Sequence, residues 1–385
     1  MKKNMFVFVF IILISNSFCI TDFAMISSLF NTSANDLAFG LDSGTANIWN
    51  TNPFGIWSNP AKFGYHKNFA FAYSNDHFFE EYLSDYVNRS SYITYGWKGI
   101  GIMLPAPSKN KRWGTVTSFG EYDLVDPQGN IICSTKPYDS ISKFAIGINI
   151  IQFISNFSSN NIYNSLNEYV EVSAGYNYDI LYSNLGMSYE THEDIEANSH
   201  SSGFGLIGRI SPFNDYNSKN KFYRLDLVLG IYYLNPEKTK IDYKDIIGKK
   251  ALPYGTSSAF SGKISVKLDF LPDLYSDFFD SIADNFISFY YSQDNTECGN
   301  EENYNSKRWG DGFEITILDF FSYRKGNWGG EIIGETEGFG LNLNYHDILQ
   351  LQYNQVKYPG VLSSDEKFAD YMIRIDFIEL YKLWL

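Results

Sequence analysis

The sequence predicts an all-β protein, a single transmembrane antiparallel β-barrel of about 14 strands with an N-terminal plug segment. Three observations point there. Apolar and polar residues alternate strictly through many segments, several of them nine to twelve residues long. The chain opens on a short leader-like run. After that run, no apolar stretch approaches the roughly 18 residues that a helical span requires.

Residues 1–19, MKKNMFVFVFIILISNSFC, place two lysines before an apolar core and a small polar end. Those are the regions of a secretory signal peptide. Cleavage without lipid is the expected processing. Acylation of Cys19 is the alternative, and Phe18 opposes it because a small residue is wanted there. Residues 25–66 lack clear alternation, residues 20–66 form the expected plug segment, and residues 67–385 form the expected barrel. Within the opening part, Asn52-Pro53 and Asn59-Pro60 favour turns, because proline fixes φ and restricts the residue before it. Trp49 and Trp57 would anchor such a folded-back segment.

The alternating segments fall at 68–74, 92–104, 113–123, 141–152, 167–180, 182–191, 201–212, 221–234, 256–270, 284–293, 310–322, 326–335, 337–345, 348–357 and 366–379. Val170, Val172, Ala174, Tyr176, Tyr178 and Ile180 share one face, with Glu171, Ser173, Gly175, Asn177 and Asp179 on the other. Tyr223, Leu225, Leu227, Leu229, Ile231 and Tyr233 oppose Arg224, Asp226 and Gly230. Phe260, Ile264, Val266, Leu268 and Phe270 oppose Ser261, Lys263, Ser265, Lys267 and Asp269. Sandwich strands average about five or six residues, whereas a tilted bilayer-spanning strand needs about nine or more. Aromatic residues end the apolar faces, as in the girdles of a membrane barrel. The polar faces then look into a lumen. The charges expected there are Glu171, Asp179, Arg209, Arg224, Asp226, Lys263, Lys267, Asp269, Glu314, Arg374 and Asp376. Such charges strut the wall, fix a plug or line a permeation path.

Closure requires the last segment to pair with the first, since lipid leaves no partner for an open edge. Residues 154–166, 192–200, 235–255 and 294–309 read as long polar loops. Ile180 to Tyr182 and Tyr345 to Ile348 read as tight turns. Short periplasmic turns alternating with longer outer loops fit this pattern.

The formal charge is −14, and losing Lys2 and Lys3 with the leader makes it −16. That excess argues against nucleic acid and against docking on anionic lipid. Cys133 and Cys298 either pair or remain free thiols. His66, His77, His192, His200 and His346 stand without ligands at metal-site spacing, so no metal or cofactor is expected. Glu193, Asp194 and Glu196 read as an acidic hairpin rather than a cation site. Gly203, Gly205 and Gly208 read as lumen-facing positions of close approach rather than a phosphate loop. No nucleophile–base pair is visible, and an enzyme is not expected.

Trp57-Ser58-Asn59-Pro60-Ala61-Lys62-Phe63 resembles the Asn-Pro-Ala box that precedes the first strand in the FadL superfamily of outer-membrane transporters. The match is closer to its PorV/PorQ branch, although the box ends in Phe63 rather than leucine. Leu318-Asp319, Arg324, Gly338-Phe339-Gly340 and Tyr353 are similar to that branch's late strands. The resemblance implies a plugged barrel of about 14 strands in the outer membrane of a Gram-negative-type bacterium. It implies transport of a hydrophobic small molecule, or a platform for exported proteins. The plug and motif residues are Trp49, Asn52, Pro53, Trp57, Asn59, Pro60, Ala61 and Phe63, and the resemblance carries over no fatty-acid-binding residue and no surface for secreted cargo. A structural or adhesive barrel acting through acidic loops is the alternative.

Overall fold

The computed structural model describes residues 33–41, 44–50, 52–56, 59–77, 86–108, 112–125, 128–158, 161–188, 193–214, 223–243, 248–267, 283–299, 305–330, 333–345, 348–359 and 365–384. The signal-peptide reading, Trp57, Asp269, His192 and His346 fall outside them. The strands are β1 Asn68–His77, β2 Tyr86–Trp97, β3 Ile100–Pro105, β4 Thr115–Phe119, β5 Tyr122–Val125, β6 Ile131–Thr135, β7 Tyr138–Asn149, β8 Val170–Met187, β9 Asp194–Asn214 and β10 Tyr223–Leu234. They continue as β11 Lys240–Asp242, β12 Lys249–Ala251, β13 Tyr254–Lys267, β14 Asn285–Gly299, β15 Asn305–Ile317, β16 Phe321–Gly329, β17 Gly334–Tyr345, β18 Leu349–Pro359 and β19 Asp365–Ile375. The helices are α1 Ala34–Ala38, α2 Ile150–Phe157, α3 Asn161–Tyr169 and α4 Phe377–Trp384.

Each wall strand pairs antiparallel with its neighbours, and β1 pairs with both β2 and β19, which closes the sheet. β3 and β4 lie end to end, both between β2 and β7, so they share one place in the wall. The result is a closed barrel of 14 strands. The hairpins β5–β6 and β11–β12 stand outside the wall. Closure satisfies every wall ladder without an edge, as lipid demands.

The expected faces hold. Val172, Tyr176 and Ile180 are exposed outward, while Glu171, Ser173, Asn177 and Asp179 are buried inward. On β10, Leu229, Ile231 and Tyr233 face out, and Asp226, Val228 and Tyr232 face in. Leu229, 64% exposed near the middle of its strand, makes the outer face testable. Leu229→Arg is expected to cost about 2–4 kcal/mol in unfolding measured in lipid vesicles, because the outer face there meets hydrocarbon.

Several boundaries differ from the sequence expectation, each for a local reason. The segment 92–104 is two strands, because Lys98 and Gly99 both take positive φ (49° and 84°) and form a two-residue hairpin turn. The turn expected at Ile180 to Tyr182 is absent, and β8 runs through it. Leu181 interrupts the alternation because it faces inward into an apolar cluster. The loops expected at 192–200 and 294–309 are largely strand, since β9, β14 and β15 extend into sequence rich in polar residues. Residues 154–166 carry the helices α2 and α3 rather than a loop, and Asn149 caps α2 by accepting a bond from Gln152 N (3.1 Å).

The final strand ends at Ile375. Asp376 then caps α4, accepting bonds from Ile378 N (2.9 Å) and Glu379 N (3.0 Å). Asp376 is therefore a helix cap, which corrects its expected lumen position. Residue 68, Ile375, the Lys98-Gly99 turn, α2, α3 and the 318–320 turn share one end of the barrel, here the terminus end. Both hairpins lie at the opposite, loop end. Long and short connections thus occur at both ends, and the expected division between them does not hold.

Candidate functional site in the barrel lumen

The described part of the N-terminal segment packs against inward-facing wall residues. Ser33 caps α1, accepting a bond from Asp36 N (3.2 Å), and all five residues of α1 are buried. Outside helix and sheet, backbone N–H groups need other partners. Four asparagines supply them. Asn47 Oδ1 accepts from Asn50 N (3.2 Å), Asn50 Oδ1 from Asn52 N (3.2 Å), Asn52 Oδ1 from Phe54 N (3.1 Å) and Asn59 Oδ1 from Ala61 N (3.0 Å). These side-chain-to-backbone bonds turn the chain.

The same amides tie the segment down through their nitrogens. Asn47 Nδ2 donates to Asp36 Oδ1 (2.6 Å), Asn50 Nδ2 to Ser33 Oγ (2.8 Å) and Asn52 Nδ2 to Asp370 Oδ1 on β19 (3.0 Å). Asn59 Nδ2 reaches the carbonyls of Thr45 (3.1 Å) and Ile231 (3.3 Å). Pro53 and Pro60 head the 3-10 turns Pro53–Ile56 and Pro60–Tyr65, where turns were expected. Trp49 packs edge-on against Tyr290, with ring centroids 4.8 Å apart. Ala61 and Phe63 are fully buried.

The wall accommodates this segment with glycine. Gly96, Gly101, Gly147, Gly175 and Gly205 are successive cross-strand partners on five neighbouring wall strands. A Cβ on Gly101, Gly147 or Gly175 would collide with backbone atoms of residues 60–63, and one on Gly205 with the Asn59 amide. Gly312 and Gly326, also directly paired, receive the Phe39 carbonyl in the same way. Gly203 and Gly205 follow the close-approach expectation, Gly203 against the Asn177 and Tyr232 side chains. Gly208 instead faces outward with nothing within 4 Å.

The lumen charges are mostly cross-strand pairs. Glu171 meets Arg209 (2.9 Å), which also approaches Asp226 (3.5 Å), and Arg224 meets Asp226 (2.8 Å). Glu314 pairs with Arg324 (2.5 Å), and Asp179 with Lys143 (3.3 Å). Lys143 escaped the sequence reading, as did Asn47 and Asn50. Their signal was present in a polar residue on the buried side of β7 and in the repeated Asn of 47–52. Lys263 lies over the Trp49 ring (6.0 Å). Lys267 and Arg374 are half-buried near the terminus end.

Lys62, buried in the segment, lies 3.8 Å from buried Asp36. Burial pushes the Asp36 carboxyl up and the Lys62 ammonium down, and each partner's charge opposes that drift. Burial also holds the His66 imidazole well below its ordinary range, where its Nε2 meets Thr94 Oγ1 (2.5 Å).

The remaining space divides in two. Toward the loop end, Phe54, Tyr92, Met103, Ile141 and Leu181 form one apolar cluster with Ile241, Tyr243 and Leu252 from around the hairpin β11–β12. This cluster borders the break between β3 and β4. There the Tyr92 hydroxyl donates to the Ile141 carbonyl (3.2 Å) and meets Thr115 Oγ1 (3.2 Å). Toward the terminus end lies a polar cavity of about 500 Å³, lined by residues including Asn35, Asn47, Trp49, Lys263, Gln352 and Asn354.

Among the described residues no group of three or more His, Cys, Asp or Glu is placed to hold a metal, and no helix is long and apolar enough to cross a membrane. Glu196 accepts bonds from Tyr182 and Asn184, as part of the β8–β9 ladder region. Cys133 and Cys298 are not joined in a disulfide, and Cys298 Sγ accepts from Arg308 (3.4 Å).

Fold and lumen together define a closed barrel whose described N-terminal residues fold against its inner face. No family model matches the chain, and neither does any curated protein. Among solved structures it is similar to a Pseudomonas aeruginosa FadL homologue, at 10% identity over 86% of this chain and 97% of that one, TM-score 0.36. It is also similar to the Pseudomonas putida toluene transporter TodX, at 8% identity over 83% and 92% of the two chains, TM-score 0.36. A third is CdiB from Acinetobacter baumannii, at 8% identity over 80% and 59%, TM-score 0.35. Likenesses at this level assign no family, and the fold rests on the closed sheet itself.

Proposed function

We propose that this chain is an outer-membrane transport barrel of a Gram-negative-type bacterium, moving a small hydrophobic molecule and held closed by its N-terminal segment. One observation carries the reading. Within the loop half of the lumen, a buried apolar cluster runs from the residues around hairpin β11–β12 through Ile141 and Leu181 to the break between β3 and β4. A barrel lined only for water and ions would not bury such side chains inside its wall. The Asn-Pro-Ala resemblance supports the same reading.

A hydrophobic solute entering at the loop end would exchange contacts with Phe54, Tyr92 and Met103, while the polar cavity beyond disfavours its onward passage. In this reading the described residues between 33 and 66 close the straight route. The test is uptake of a radiolabelled fatty acid and of a labelled monoaromatic hydrocarbon by cells with and without the chain. Faster uptake of either, lost in Met103→Lys, is expected. Unchanged uptake of both sinks the reading.

A second reading, the exported-protein platform, draws on hairpin β5–β6. There Val125, Ile131 and Ile132 are exposed at the loop end, outside the wall. Ile131→Ser with Ile132→Ser would impair surface display of exported proteins under that reading and leave solute uptake intact.

A further inference from the structure

We infer that α2 and α4 lie in the headgroup–acyl boundary of the leaflet around the terminus end, with bilayer phospholipid as the partner of their apolar faces. The inference does not depend on the cargo. It starts from two helices that expose what a soluble surface would hide. In α2, Ile150, Ile154 and Phe157 are exposed, and none of the helix's residues is buried. In α4, Phe377, Ile378, Leu380 and Tyr381 are exposed, the last at 65%. Large apolar patches of this kind mark an interaction surface.

Continuity with the lipid-facing wall identifies the partner. α4 begins directly after β19, and the Phe377 ring lies 5.5 Å from that of Phe69 at the start of β1. Phe69 heads the row whose outward members include Phe71 and Tyr73. The α2 ring of Phe157 lies 6.1 Å from Trp97, an exposed residue at the end of β2. Lys98 sits beside both rings, its Nζ 4.9 Å from Trp97 and 5.2 Å from Phe157. Aromatic rings beside a lysine are what the interface between hydrocarbon and headgroups accommodates. Both helices therefore continue the aromatic girdle sideways.

Helix chemistry agrees. Short amphipathic helices with aromatic and aliphatic residues on one face lie in the plane of the interface. In α4 the polar residues Glu379 and Lys382 pair with each other at 2.6 Å. The helix thus presents little net charge, so apolar burial rather than attraction to anionic lipid drives the contact. Binding should be the same in phosphatidylcholine vesicles with and without phosphatidylglycerol.

The test uses the full chain, with its own cysteines replaced by serine, reconstituted in phosphatidylcholine vesicles. Ile154→Cys, Ile378→Cys and, as a control on the polar face, Glu379→Cys each carry a bimane label. Gel mobility before and after heating confirms a folded barrel for each. Labels at 154 and 378 are expected to be quenched by chain-brominated lipid at least about twofold more than the label at 379, and by aqueous iodide correspondingly less. Equal iodide quenching at all three sites overturns the inference. Shielding of 154 and 378 from both quenchers also overturns it, because protein rather than lipid would then cover the faces.

Discussion

Gly175→Leu is expected to expel the N-terminal segment from the lumen and leave the barrel closed. Gly175 pairs with Gly147 on one side and Gly205 on the other, in the middle of the glycine stripe. A Cβ there would fall on the Pro60 carbonyl and the Ala61 nitrogen. Those are backbone atoms, held by the Asn59 cap and by Ser173 Oγ, which donates to the Ala61 carbonyl (2.5 Å), so they cannot swing aside like a side-chain tip. Overpacking of this kind costs about 1–3 kcal/mol, and a whole leucine side chain lies at the upper end or beyond. The wall loses nothing comparable, because its ladder bonds are made by backbone that the substitution leaves in place. Single-channel recordings in planar bilayers should show higher conductance, and limited proteolysis should cut within residues 33–66. Gly208→Leu is the control, since nothing lies within 4 Å of its Cβ position and it faces outward. Equal conductance for the two variants would sink the proposed closure of the barrel by the segment.

The faces of the wall were legible in the sequence because a period of two records them residue by residue. Glu171, Asp226 and Glu314 could be placed inward without knowing any neighbour. Their partners could not, because register between strands is set by ladders and turn lengths rather than by the pattern along one strand. Arg209 opposes Glu171, and Arg324 opposes Glu314, only once β8–β9 and β15–β16 are aligned. The glycine stripe is the extreme case. Five glycines, neighbours in the stripe lying up to 46 positions apart in the chain as Gly101 and Gly147 do, become one track through register alone. Period two also misleads where an inward-facing side chain is apolar, as at Leu181, and where strands outrun the lipid, as in β9. At α2, the sequence IIQFISNF carries helical spacing directly after a strand, so a reading committed to alternation overshot the boundary. The turns at Pro53 and Pro60 were readable because proline acts locally. Asp370, to which the segment is tied, gave no such sign.

Asp370→Asn is expected to loosen that segment more than any other single isosteric change in the wall. Asp370 is fully buried on β19 and gathers three donors. Its Oδ2 accepts from Ala34 N (2.9 Å), and its Oδ1 accepts from Asn52 Nδ2 (3.0 Å) and Asn354 Nδ2 (2.8 Å). Two of these donors belong to the N-terminal segment, at opposite ends of its turn-rich stretch. An amide keeps the shape but turns an NH2 group toward at least one of them, so donor faces donor. Each buried donor left unsatisfied costs about 1–3 kcal/mol, with the carboxylate's stronger bonds lost besides. The wall itself keeps its backbone pairing at Ser74 and Asn354. Hydrogen exchange should therefore quicken in residues 33–56 while the β1–β19 ladder stays protected. Asn52→Ala removes one of the same bonds from the other side, so the two substitutions together should cost less than the sum of each alone. Strict additivity would show that Asp370 does not hold the segment through Asn52. In that case the glycine stripe and the Asn59 cap would be left as its anchors.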